Sequence, residues 1–175
     1  MIETKRLILR PWKDSDRAPY VALNADPKVM KYMPGVLSEQ ETDELIARIR
    51  KSFDENGYGR FAVELKETGE FIGSIGLMKT TFEAPFTPAV EIGWRITHPY
   101  WNKGYATEGA LAVVMNAFEE LDIPEIIAFA PKENAASQRV MDKLGMAYER
   151  GGNFVHPSLP PDHKLALHVL YRLKR

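Results

Sequence analysis

The chain has 175 residues, 45% of them hydrophobic, enough to fill the core of one compact domain and too few for two comfortable ones. Its 23 basic and 24 acidic side chains leave a formal charge of -1, which argues against the broad positive field of a nucleic-acid binder. The absence of cysteine excludes disulfides, thiolate metal sites and a cysteinyl acyl intermediate; no apolar run long enough for a membrane span occurs, and the charged start "MIETKRLILR" is unlike a signal peptide, so a cytoplasmic protein without a membrane partner is expected.

In chain order, "RLILRPW" alternates as a short strand ended by Pro11, and Asp14 to about Asn24 reads as a helix. "SEQETDELIARIRKSFDENG" is a stronger helix, with Ser38 and Glu41 spaced as a capping box and Gly57 as its stop. From Gly59 to Thr97 the period changes to two: "RFAVELK", a turn at "ETGE", "FIGSIGLMKT" and "AVEIGWRIT" predict an antiparallel meander. A helix from Thr107 ("TEGALAVVMNAFEEL"), a strand ("EIIAFA"), a helix ("NAASQRVMDKLG") and strands around "YERGG" and "LALHVLYRL" follow. This order predicts a single domain over residues 1–175, of α+β or mixed α/β class. In the helix from Thr107, Ala110, Leu111, Val114, Phe118 and Leu121 keep helical spacing, which assigns its body to the core and leaves its N-terminal end for chemistry.

That end is the stretch "THPYWNKGYATEGA". A helix start exposes unpaired amides and partial positive charge, and Gly104 and Ala106 leave room for a phosphate to approach. Lys103 could add a cation, and a plain connecting turn at Gly104 fits the spacing equally well. Neither G-x-x-x-x-G-K-[ST] nor G-x-G-x-x-G occurs, so ATPase and dinucleotide readings are weak.

Taken together, "EIGWRITHPYWNKGYATEGA", "ENAASQRVMDKLGM" and the opening "TKRLILRPW" resemble the GNAT superfamily of acyl-CoA-dependent N-acetyltransferases, in particular its RimJ/RimL-like branch of ribosomal-protein N-terminal acetyltransferases. The resemblance runs from about Lys5 to Leu173. It implies a mostly antiparallel sheet of about seven strands, splayed between the fourth and fifth, with about four helices, and acetyl-CoA as co-substrate without a metal. The family's [QR]-x-x-G-x-[GA] signature aligns with Trp101 at its first position, Gly104 and Ala106. By resemblance the amides of Asn102, Lys103, Gly104, Tyr105, Ala106 and Thr107 hold the pyrophosphate, and backbone groups of Arg95, Ile96 and Thr97 hold the pantetheine arm. Trp101 removes a side chain from that pattern and no backbone donor.

Acyl transfer to an amine needs a neutral amine, a polarised carbonyl and a proton for the thiolate. Glu91, thirteen residues before Gly104, matches the catalytic base of the histone-acetylating branch; a solvent-facing or ion-paired strand glutamate is the plain alternative. Neutralising a lysine of pKa ~10.4 at pH 7 costs roughly 4.6 kcal/mol, an α-amine of pKa ~8 only about 1.4, so a protein α-amine needs the milder base. The family's tyrosine acid, seven residues after Asn134, falls on Met141, which cannot donate; Ser137 is the substitute, or an ordinary polar residue of a first helical turn. Asn134 fits a cofactor contact and an N-cap alike.

His98, His156, His163 and His168 lack zinc spacing, and His168 reads as structural. The loops "TTFEAPFTPAV" and "GGNFVHPSLPPDHK" could line an acceptor groove, and Glu108 is expected to point away from the phosphates. The expectation is an N-acetyltransferase acting by direct transfer as a monomer or homodimer. Its acceptor is a protein N-terminal α-amine, or else a small amine, amino acid or antibiotic; an acyl-CoA-binding sensor without turnover is the reading from another class.

Overall fold

In the computed structural model, which describes residues 1–175, the alternating segments pair largely in sequence order. Strands β1 (Ile2–Glu3), β2 (Leu7–Arg10), β3 (Arg60–Leu65), β4 (Phe71–Thr80) and β5 (Ala89–Ile96) each run antiparallel to the next. Strand β6 (Glu125–Pro131) then lies parallel to β5 and antiparallel to β9 (Leu167–Lys174), which also pairs with β7 (Ala147–Tyr148) and β8 (Phe154–Val155). The sheet therefore has nine strands where seven were expected. Three of them, β1, β7 and β8, span two residues each, too short to show a period, and on this count the loosely paired neighbours are β5 and β6.

Four helices cover the sheet: α1 (Arg17–Ala25), α2 (Glu39–Asn56), α3 (Tyr105–Glu119) and α4 (Ala135–Lys143). The capping box at Ser38 and Glu41 is reciprocal, and Gly57 ends α2 in the left-handed region at φ 75°. Helix α3 begins at Tyr105, two residues before the expected start, because Gly104 takes the N-cap position at φ 83° without any side-chain cap.

Alternation along β3 assigns the two faces. Val63 joins Leu7, Leu9, Ile75, Ile92 and the inner side of α3 in the larger core, whereas Ala62 joins Tyr20, Leu23, Ile46 and Phe71 under α1 and α2. The core stripe of α3 is Ala110, Val113, Val114 and Ala117. Leu111, assigned to the core from spacing, is 45% exposed; the small residues face the sheet because the helix lies so close that a Cβ on Gly109 would come within 2.6 Å of Ile75 Cδ1. Phe118 and Leu121 flank that core.

The approach is closer still between β4 and β5. A Cβ on Gly73, at φ 149°, would stand 2.1 Å from the Arg95 carbonyl oxygen, so glycine lets the end of β5 seat against β4. Gly73→Ala is expected to destabilise the fold by about 3 kcal/mol, because the atoms it meets are β5 backbone that cannot swing aside; urea unfolding measures it, and an unchanged midpoint contradicts the packing described.

Candidate active site

The β5–α3–β6 crossover brings the N-terminus of α3 to the C-terminal end of β5, beside the weakest seam of the sheet. Glu91 with Ile127 is the one register pair between β5 and β6. Beyond it the strands part. The Thr97 amide donates to the Ile72 carbonyl, back toward β4, so by alternation the backbone of Arg95 also turns to β4 while Trp94 and Ile96 turn to the gap. Of the three residues read as pantetheine contacts, Ile96 thus turns its amide to the gap, its carbonyl being taken by Trp101, and Thr97 adds a buried hydroxyl with no hydrogen-bond partner in the protein.

Trp101 acts on this same strand end. Its indole Nε1 donates to the Ile96 carbonyl at 2.6 Å and its ring meets His98 at 4.9 Å, which ties the loop onto β5. Past Trp101 the chain turns left-handed at Asn102 (φ 60°) and again at Gly104 (φ 83°). The amides of Asn102, Lys103, Gly104, Tyr105, Ala106 and Thr107 find no acceptor within the protein, and the first helical bond is from the Glu108 amide to the Gly104 carbonyl, at 3.0 Å. Unpaired amides in sequence at a helix start form a concavity for an anion.

A side chain that sequence reading missed supplies positive charge there. Arg6, in the turn before β2, donates from Nη1 to the Lys103 carbonyl at 2.9 Å and stacks 4.4 Å above the Tyr105 ring, with Nη2 3.3 Å from the position of a Cβ on Gly104. Glu108 fixes it by accepting from Arg6 Nε at 2.7 Å, the Arg6 amide at 2.8 Å and the Thr4 hydroxyl at 2.6 Å. Although burial works the other way, these bonds hold the Glu108 carboxyl below its ordinary range. Glu108 is thereby held on the N-terminal turn. Only the contrast of Arg6 with the alternating apolar residues after it could have drawn notice in the sequence.

The sheet face away from α3 lies under α1 and α2. Glu91 projects there between Thr80, whose hydroxyl donates to Oε2 at 3.3 Å, and Arg60, whose Nη2 stands 3.6 Å from Oε1. Burial raises the Glu91 pKa, and Arg60 and Thr80 offset part of the rise. The two loops named from sequence converge beside it. Phe82 and Phe86 from one, Phe154 and His156 from the other, meet Phe129 and His168, with Phe86 to Phe154 at 4.8 Å and His156 to His168 at 4.9 Å. Burial, with His168 adding to it, lowers the His156 pKa to about 4, so this imidazole is neutral at pH 7. His168 is buried, with Nδ1 3.0 Å from the Ala166 carbonyl, as expected of a structural histidine.

On α4, Asn134 is the N-cap: its Oδ1 accepts from the Ser137 amide at 3.1 Å. The Ser137 hydroxyl is half-buried and makes no hydrogen bond within the protein. Met141 is 1% exposed and belongs to the core, so the helix presents packing where the family pattern has an acid. The structure brings no group of three or more histidine, aspartate or glutamate side chains together as a metal site, and no helix is long and apolar enough to cross a membrane.

A family model described as "Acetyltransferase (GNAT) domain" matches residues 6–147. The chain belongs to the GNAT acetyltransferases. This GNAT chain is 37% identical over 149 residues to the uncharacterized N-acetyltransferase YnaD of Bacillus subtilis, covering 85% of its own length and 83% of the relative's. A GNAT-family acetyltransferase from Bacillus anthracis superposes with a TM-score of 0.78 at 32% identity, over 99% of this chain and 97% of that one. RimJ of Mycobacterium smegmatis, solved with CoA-disulfide, shares the fold at 20% identity and a TM-score of 0.76, over 96% of this chain and 81% of that one. GNAT enzymes transfer acetyl groups from acetyl-CoA, and the donor set of this acetyltransferase fits that molecule: unpartnered amides and a guanidinium for phosphates, an opened seam for an extended arm.

Proposed function

We propose that the chain transfers acetyl directly from acetyl-CoA to an α-amine, with the cofactor's pyrophosphate at Asn102–Thr107 and its arm along Ile96 and Thr97. The observation that carries this reading is the run of unpartnered amides opening onto a seam at whose paired end stands Glu91. Bound acetyl-CoA supplies the thioester; the chain binds, orients and moves protons. Glu91 accepts the amine's proton, directly or through water, and burial suits it to this by raising its pKa toward that of the acceptor. Ser137 Oγ, with no partner in the protein, donates toward the departing sulfur. With no cysteine, transfer proceeds within a ternary complex. The resemblance of "TKRLILRPW" and the signature helices to RimJ/RimL-like enzymes supports an α-amine acceptor such as a protein N-terminus.

The direct test follows free thiol release from saturating acetyl-CoA with peptides, amino acids and polyamines. Acceptor-dependent thiol is expected; tight coenzyme A binding without it across the whole set favours the sensor reading, which Met141 in the core supports. Ser137→Ala is expected to lower kcat about 10-fold with coenzyme A affinity unchanged, measured by the same release. A wild-type rate removes Ser137 from the acid role.

A further inference from the structure

On the face that holds Glu91, two guanidinium groups, those of Arg60 and Arg95, lie close to that carboxylate without a carboxylate hydrogen-bonded to either. Arg60 of β3, Gly76 of β4 and Gly93 of β5 stand in one row across the sheet, and the Arg60 side chain lies over it: a Cβ on Gly93 would meet Nη2 at 2.5 Å. Arg60 is 17% exposed on its side chain, its 3.6 Å approach to Glu91 is longer than a hydrogen bond, and its Nε is buried without an acceptor. Two residues beyond Gly93 on the same face, Arg95 donates to the neutral side-chain amide of Asn24 and has no carboxylate partner. Burial lowers the Arg95 pKa and Arg60 lowers it further, with Tyr20 opposing.

The neighbouring acids do not correct this imbalance. Asp16 and Glu64 are both engaged by Arg10, at 2.7 and 2.6 Å, and Glu64 also faces Lys13. A buried guanidinium nitrogen without an acceptor costs free energy unless a ligand completes it. The geometry fits a planar anion beside an amine-accepting carboxylate.

We infer that the acceptor carries a carboxylate a few bonds from its amine, received by Arg60 and Arg95 while the amine lies at Glu91. This deepens the proposed transferase reading and rests on it. The closeness of Arg60 to Glu91 favours a short link, as in a free α-amino acid; a peptide beginning with aspartate or glutamate presents the same pair of groups on a longer link. The transfer itself balances without another reactant: the amine nitrogen bonds to the acetyl carbon, the carbon–sulfur bond breaks, and the proton lost by nitrogen is matched by one gained by the thiolate. The aromatic wall of Phe82, Phe129 and Phe154 adjoins this site through Phe129, two residues from Ile127, the register partner of Glu91. An apolar amino-acid side chain is the natural occupant of that wall.

The test compares free α-amino acids with their primary amides, and peptides beginning with Asp or Glu with those beginning with Asn or Gln, by acetyl-CoA-dependent thiol release. The acids of one series are expected to exceed their amides by about 30-fold or more in kcat/KM, and the series that does so identifies the source. In Arg60→Gln and Arg95→Gln that acid-to-amide ratio falls toward one. Amides or polyamines that match the acids overturn the inference. A second measurement separates it from the transferase reading: calorimetric binding of N-acetyl amino acids against their amides to the wild-type protein with coenzyme A. Tighter binding of the acids, lost in the arginine variants, supports the anion site even where no acceptor turns over; equal binding of acids and amides refutes it whether or not acetyl transfer is seen. Coenzyme A affinity and thermal midpoint report whether each variant is folded.

Discussion

Gly104→Asp weakens coenzyme A binding by at least about 100-fold. Gly104 is the N-cap of α3 at φ 83°, a conformation that costs an ordinary L-residue about 1 kcal/mol or more, and its neighbours' amides are aimed at an anion. A carboxylate in that concavity satisfies some of those amides itself and repels the pyrophosphate, so strain, competition and charge act in one direction. Arg6→Met removes the guanidinium charge and its bond to the Lys103 carbonyl and is expected to cost about 10-fold, since the Arg6 side chain is 41% exposed and partly screened. Isothermal titration with coenzyme A reads both. Retained affinity in Gly104→Asp, with a folded thermal transition, means that the phosphates bind elsewhere.

Glu91→Gln lowers kcat about 100-fold with little change in the Kd for coenzyme A, the size of effect expected when a positioned base is lost. The pH profile is the sharper readout. Burial raises the folded pKa of Glu91 above the ordinary carboxylate value, so the wild-type rate falls as the pH drops through that raised value and the carboxylate takes up its proton. Glutamine cannot titrate, and the acid limb belonging to Glu91 is absent from the variant's kcat profile at saturating acceptor. A variant that keeps both its rate and the wild-type acid limb assigns the base to another group.

What could be read before the structure follows from how local each signal is. The capping box at Ser38, the stop at Gly57 and the period of two from Arg60 to Ile96 are set by residues within a few positions, and they appear where the sequence put them. The two-residue strands β7 and β8 exist because β9 is there to pair with; "YERGG" marked the first through Tyr148, and no local pattern announced the second. The error at Leu111 has the same origin: spacing identifies a stripe on α3, but the closeness of Gly109 to Ile75 decides which side of the stripe faces inward. At the site, the loop around Gly104 was legible because backbone conformation and a helix start carry it. Arg6, Arg60 and Asn24 were not, because each gains its meaning from a partner on another strand or helix.

The bonds from Glu108 to Thr4 and Arg6 join positions 104 and 102 residues apart. During synthesis the N-terminal turn therefore waits for more than half of the chain before it can dock on the start of α3. The ring of chain closed by these bonds is long, so the contact that sets the Arg6 guanidinium beside the unpartnered amides carries a large loop-closure entropy.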